Sequence, residues 1–333
     1  MSWWLSRADR DMYRDDGPMP TGQPAPQSES EPSAALQRSV GKAPTTKEIL
    51  MAALTSDVTR GGVPRVHGLA PALLFFAVTF AISWLAWLPL LLRARGEQAD
   101  EVAQLLLALG IGGPSIMGFI LTARAAGRQG VARLWRQGTR WQVGPAWYVG
   151  IIVGPGLAMG AALTVGLALG GQTPSVTPWL PAIVNGLLAG LFEEFGWSGF
   201  AFPALQARYG LARAGAVVGV AVALWHIPFF FIPELPQASS SFVLFLLVLI
   251  PARILFGWIL AGAGGSVLLA ILFHASANAW GETLSINEAV IDPVGLTLAA
   301  IIWLTTATVL FLRRRAAATS RSDLPQVATV ARA

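Results

Sequence analysis

The feature that most limits the fold of this chain is a series of apolar runs, each about 20 residues long, between Pro71 and Leu312. A helix rises 1.5 Å per residue, so about 20 residues cross a hydrocarbon core of about 30 Å. The predicted spans are 71–92, 102–123, 145–169, 180–205, 213–232, 240–262, 265–283 and 294–312. This pattern predicts an all-α fold, a multi-pass transmembrane helical bundle of about eight spans.

The charge content excludes an ordinary soluble protein. Only 12% of the residues are charged, whereas a soluble domain has about a quarter. The 23 basic residues exceed the 18 acidic ones but are scattered, which fits loops beside anionic lipid rather than a nucleic-acid surface. No cysteine is present, so disulfides, thiolate metal sites and cysteine nucleophiles are excluded.

The domain organisation follows from where the polar residues concentrate. Residues 1–66 are rich in Pro, Ser and charges and predict a disordered N-terminal segment, with a short helix near 46–54 and no signal peptide. Residues 67–315 form the predicted transmembrane domain, with its motifs in 180–283, and residues 316–333 a disordered tail. Arginine-rich loops on one side place both termini in the cytoplasm of a multi-pass cell-membrane protein.

Two further features concern packing at the membrane. The segment 127–141 mixes arginine with Trp135 and Trp141, which favours a short interfacial segment, although a plain basic loop fits equally. Gly186 and Gly190, four residues apart, allow a close helix–helix approach.

Ionisable residues inside the predicted spans are the candidates for function, because a charge at bilayer depth costs several kcal/mol. They are Glu193 and Glu194 in the fourth span, His226 in the fifth, Arg253 in the sixth and His274 in the seventh. Counted from the predicted cytoplasmic ends, they lie within about 6 Å of one depth. Asn278 shares a helix face with His274. We therefore expect these side chains to face one cavity.

Such a set permits general acid–base hydrolysis, in which a carboxylate takes a proton from water and donor groups stabilise an oxyanion. Glu193, His226 and His274 are also a plausible zinc set. The residues alone do not choose between metal-bound and glutamate-activated water. Each also has a structural reading, as a helix-to-helix hydrogen-bonding group or a buried ion pair.

Three sequence blocks resemble the CPBP family of intramembrane proteases, the relatives of type II CAAX prenyl endopeptidases. The family pattern is EExxxR, FxxxH and HxxxN or HxxxD on successive helices. Here the blocks read EEFGWS from Glu193, VALWH ending at His226, and HASAN from His274 to Asn278.

The resemblance implies an intramembrane endopeptidase that acts on a membrane-associated or CAAX-like substrate without a metal cofactor. In that reading Glu193 and His226 activate water, His274 and Asn278 form the oxyanion site, and Glu194 is the supporting carboxylate. The expected partners are a peptide or membrane-protein substrate and the lipid bilayer.

Two positions depart from the family pattern: Ser198 stands where the first block has arginine, and Val222 where the second has phenylalanine. The rival hypotheses are an inactive relative that acts as a membrane scaffold or immunity protein, and a proton-coupled transporter. We predict that Arg253 pairs with Glu194 in place of the missing arginine; the alternative is that Arg253 snorkels to water.

Overall fold

The computed structural model describes residues 69–93, 101–170, 178–284 and 293–322 of the 333-residue chain, without the side chains of 293 and 314–322. All regular structure in these ranges is helical, as predicted. The N-terminal segment predicted to be disordered lies outside the described residues. The last helix runs on to Ser322, and the rest of the predicted tail also lies outside them.

Eight α-helices make up the described part of the chain. They are α1 Leu69–Leu92, α2 Glu101–Gly138, α3 Pro145–Ala168, α4 Trp179–Gly196, α5 Phe202–Trp225, α6 Phe242–Gly262, α7 Val267–Thr283 and α8 Pro293–Ser322. A π-helical turn, Trp197–Ala201, joins α4 to α5, and two 3-10 helices, Ile227–Phe231 and Pro236–Ser239, join α5 to α6.

Six stretches of the described residues are long and apolar enough to cross a membrane. One of them, Trp179–Phe231, is 53 residues long and contains two of the predicted spans, and α7, with 17 residues, is not among the six. The prediction of about eight spans is therefore slightly high by this count but compatible with it. The protein is a multi-pass helical membrane protein.

Two glycines break the long helices where the sequence places loops. Gly127 has φ 57° inside α2, and Gly210 has φ 74° inside α5. Both values lie in the left-handed region, which glycine adopts without the steric penalty of a Cβ atom. Gly210 separates the predicted fourth and fifth spans.

The helices that carry the candidate residues are held close together by glycine. A Cβ atom on Gly186 would lie 2.5 Å from the Ala275 carbonyl oxygen, and one on Gly190 would lie 2.6 Å from that of Ile271. The predicted close approach of these two glycines is thus an α4–α7 contact, which sets the glutamates of α4 against His274.

We expect Gly190→Ala to destabilise the bundle by about 1–3 kcal/mol, because the new methyl group would force α4 and α7 apart. Thermal unfolding in detergent measures the effect. Gly154→Ala is the matched control, because nothing lies within 4 Å of a Cβ atom built there. Equal losses of stability in the two variants would show that the close approach does not matter.

Candidate active site

The centre of the site is the glutamate pair at the end of α4. The side chains of Glu193 and Glu194 are buried, with 4% and 0% of their residue surfaces exposed. The π-helical turn Trp197–Ala201 follows at once. Such turns are rare and occur frequently at functional sites, because the wider turn redirects side chains.

The Glu194 carboxylate is held by three side chains from three elements. Arg253 Nη1 donates to both carboxylate oxygens, at 2.8 and 3.0 Å. Ser198 donates its hydroxyl proton to Oε2, and His274 Nδ1 lies 2.7 Å from Oε1. A carboxylate with this many donors is fixed in place and stays ionised at low cost.

Glu193 is surrounded differently. Its Oε2 lies 3.8 Å from Arg253 Nη2 and has no hydrogen-bond partner among the described residues. The Trp197 indole lies beside this carboxylate, and its buried Nε1 has no hydrogen-bond partner among the described residues. A buried acceptor without a partner is costly, so an oxygen in this position is suited to bind a water or a substrate proton.

His226 lies at the end of α5 and is set in one tautomer. Its Nδ1 is 2.8 Å from the Val222 carbonyl oxygen, which can only accept, so Nδ1 carries the proton and Nε2 is left as an acceptor. The rings of Trp225, Phe229 and Phe245 pack edge-on around it, with centroids 4.7–5.2 Å away. This apolar wall orients the imidazole without supplying another hydrogen bond.

His274 projects from α7 onto Glu194, and Asn278 follows one turn later. Because the carboxylate accepts, His274 Nδ1 donates to it, and Nε2 points away from the ion pair. Both residues are partly buried. The spacing of four residues keeps the amide of Asn278 on the same helix face as the imidazole.

Arg253 is buried against Glu194, as the sequence predicts. Only 3% of its surface is exposed, and Phe256 covers it, with the guanidinium carbon 4.5 Å from the ring centroid. The alternative in which it snorkels to water is therefore wrong. The contact also differs from the predicted bidentate fork, because one nitrogen bridges both oxygens of Glu194 while Nη2 turns toward Glu193.

Ligand atoms of Glu193, Glu194 and His274 lie within 4.8 Å of one another and could hold a metal ion. His226 is not in this group, so the set that the structure brings together differs from the zinc set named from the sequence. The Arg253 guanidinium contacts both oxygens of Glu194, and a cation there competes with a metal for the same carboxylate. The donor set therefore fits a resident zinc ion poorly.

Sequence reasoning named Ser198 as a departure from the family pattern and as a supporting residue, but assigned it no contact. In the structure the hydroxyl stands one turn from Glu194 and donates to it. Sequence reasoning missed Trp197, whose fully buried ring lies beside Glu193. The signal for the Ser198 contact is in the sequence, since a small hydroxyl four residues after a buried glutamate can reach back to it.

These features define a class: a multi-pass membrane protein with a buried carboxylate, guanidinium and imidazole cluster where its helices meet. Comparison with known proteins shows which family this part of the chain is similar to. Residues 175–280 match the family described as Type II CAAX prenyl endopeptidase Rce1-like. A curated relative, CAAX prenyl protease 2 of Methanococcus maripaludis, is 36% identical over 118 residues.

The aligned region covers 34% of this chain and 44% of the relative, so the chain spans less than half the length of the curated protein it matches. Both comparisons confirm the family resemblance stated from the three motifs. The family match covers the segment that contains all seven candidate residues, namely Glu193, Glu194, Ser198, His226, Arg253, His274 and Asn278.

Proposed function

We propose that this protein is an intramembrane endopeptidase that hydrolyses a peptide bond with water activated by Glu193. The observation that carries the proposal is the contrast between two adjacent buried glutamates. Glu194 is saturated by Arg253, Ser198 and His274, whereas Glu193 keeps an oxygen without a partner. Such a division separates a supporting carboxylate from a reactive one.

In the proposed reaction, Glu193 accepts a proton from a water that is also held by His226 Nε2. The water oxygen attacks the scissile carbonyl carbon, and the carbonyl oxygen becomes an oxyanion. His274 Nε2 and the Asn278 amide donate to that oxyanion. Collapse of the intermediate breaks the C–N bond, and Glu193 returns its proton to the leaving amine.

Donation from His274 requires a proton on Nε2 in addition to the Nδ1 proton given to Glu194. The doubly protonated ring then adds one positive charge to that of Arg253. Two positive and two negative charges leave the cluster neutral, which lowers the cost of holding four charges in a dry site. Glu194 would thus orient and stabilise His274 as the aspartate of a catalytic triad orients its histidine.

The natural substrate is proposed by chemical class only. A peptide or membrane protein that reaches the bilayer, including a CAAX-like C-terminus, fits the family resemblance and the name of the archaeal relative. The proposed location is the cell membrane with both termini in the cytoplasm, on the evidence of the arginine-rich loops.

We expect purified active protein to contain no stoichiometric zinc and to keep its activity in chelator, because the Arg253 guanidinium already contacts both oxygens of Glu194. Elemental analysis beside an activity assay measures both. Stoichiometric zinc, with activity lost to chelation and restored by added zinc, would overturn glutamate-activated water without metal.

The proposal is tested by incubating purified protein with a membrane-proteome peptide library and comparing the wild type with Glu193→Gln. The proposal expects new peptide termini in the wild type only. Folded wild type without cleavage would instead favour the scaffold or immunity hypothesis. Proton-coupled flux in liposomes without cleavage would favour transport.

A further inference from the structure

The end of α2 forms a separate helical arm, Arg128–Gly138, beyond the break at Gly127. Two contacts show that the chain folds back there. A Cβ atom on Gly130 would lie 3.1 Å from the side chain of Thr122, eight residues earlier. Trp135 likewise returns to Phe119, with ring centroids 6.4 Å apart. The segment predicted to be interfacial is therefore a helix that lies back along α2.

One face of the arm packs on the π-helical turn of the candidate site. Gly130, Leu134 and Gly138, each four residues apart, are buried. A Cβ atom on Gly138 would lie 2.2 Å from the Phe195 ring, and one on Gly199 would lie 2.6 Å from Leu134. The Trp135 ring stacks on the Phe195 ring, with the ring centroids 5.9 Å apart and an interplanar angle of 2°. Phe195 directly follows Glu194, so the arm supports both the π-helical turn and the end of α4 that carries the buried carboxylate.

The opposite face of the arm is basic and exposed. Arg128, Ala132 and Arg136 follow one another at helical spacing on the surface, and Trp135, which also stacks on Phe195, is at the edge of this face. Trp135 is 57% exposed, and Trp141, just beyond the arm, is 66% exposed. Tryptophan beside arginine is the composition of a helix that lies at the headgroup level of a bilayer.

None of the described carboxylates forms an ion pair with this face. The sequence has no acidic residue between Glu101 and Glu193. Glu193 and Glu194 are enclosed in the site, Glu234 pairs with Arg93, and Glu282 accepts from Asn185. None of the ion pairs formed by these carboxylates involves Arg128 or Arg136. Within the described part of the chain Arg128 and Arg136 therefore have no acidic partner, which leaves their guanidinium groups available to an anionic surface.

We propose that the exposed face of the arm, with Arg128 and Arg136, binds the headgroups of anionic phospholipids, and that this binding holds the arm against the turn Trp197–Ala201. Phosphodiester headgroups offer the acceptors that guanidinium groups bind best. Zwitterionic lipid lacks the net charge that would favour it at this face.

Native mass spectrometry of the full chain with added phosphatidylglycerol or phosphatidylethanolamine tests the binding. Each arginine near an anionic surface strengthens binding about fivefold, so Arg128→Gln with Arg136→Gln is expected to weaken phosphatidylglycerol binding roughly 25-fold. The matched control, Arg208→Gln with Arg213→Gln, removes two exposed arginines from α5 instead. We expect this control to weaken phosphatidylglycerol binding far less. Equal losses in the two variants, or equal binding of both lipids by the wild type, would overturn the proposal.

Hydrogen exchange tests the link to the site without an activity assay. Phosphatidylglycerol is expected to slow amide exchange in residues 195–201 of the wild type and not of the Arg128→Gln, Arg136→Gln variant. Lipid binding without that protection would show that the arm binds lipid but does not support the turn. Neither measurement depends on whether the protein cleaves peptides, so the proposed function can fail while this inference stands.

Discussion

Replacing Arg253 with leucine is expected to abolish peptide hydrolysis. The variant leaves two buried carboxylates with no guanidinium beside them, and breaking a buried ion pair in this way costs about 3–5 kcal/mol. One carboxylate would have to take up a proton, so the site would lose either the support of Glu194 or the base, Glu193. Turnover and thermal unfolding of the purified variant measure the two losses separately.

Ser198→Arg added to Arg253→Leu distinguishes a positioning role from a general loss of stability. Ser198 already contacts Glu194, so an arginine there can reach the same carboxylate from the π-helical turn. We expect this double variant to regain a measurable part of the activity. Arg213→Leu, an exposed site on α5, is the control and should behave as wild type. Full activity in Arg253→Leu, or a double variant no better than the single one, would contradict the prediction that Arg253 takes the place of the missing motif arginine.

His226→Ala and His274→Ala are each expected to lower turnover by about 10²–10⁴-fold while the protein still purifies as a folded bundle. The two imidazoles act in one step, so removing both should cost little more than removing one. Turnover of the two single variants and the double variant on one peptide measures this.

His67→Ala is the matched control for the histidine variants, because His67 is the third histidine of the sequence and precedes the first described helix. It should retain wild-type turnover. Near-wild-type turnover in either site variant would remove that histidine from the mechanism. Losses that multiply in the double variant would show that the two residues act independently.

The sequence predicts the helices and the grouping of the buried charges because both follow from strong physical limits. Lipid forces apolar runs of fixed length, and a charge in that setting needs a partner at the same depth. Depth predicts that Glu193, His226, Arg253 and His274 lie at one level. The structure shows that Arg253 and His274 both contact Glu194.

The local geometry could not be read from the sequence, since it depends on packing between distant segments. Arg253 lies where Gly215 lets α5 approach α6, and a Cβ atom on Gly215 would lie 2.7 Å from Ile254 Cα. The π-helical turn likewise packs against the arm, with Gly199 next to Leu134. Hydropathy does not report these contacts.

The most direct measurement of the central claim is the rate at which new peptide C-termini appear, compared between Glu193→Gln and Glu282→Gln. Both variants remove one carboxylate from the described helices, but Glu282 is at the end of α7, hydrogen-bonded to Asn185 outside the site. We expect a loss of about 10²-fold or more for Glu193→Gln and near-wild-type turnover for Glu282→Gln. Cleavage by Glu193→Gln at the wild-type rate would contradict it.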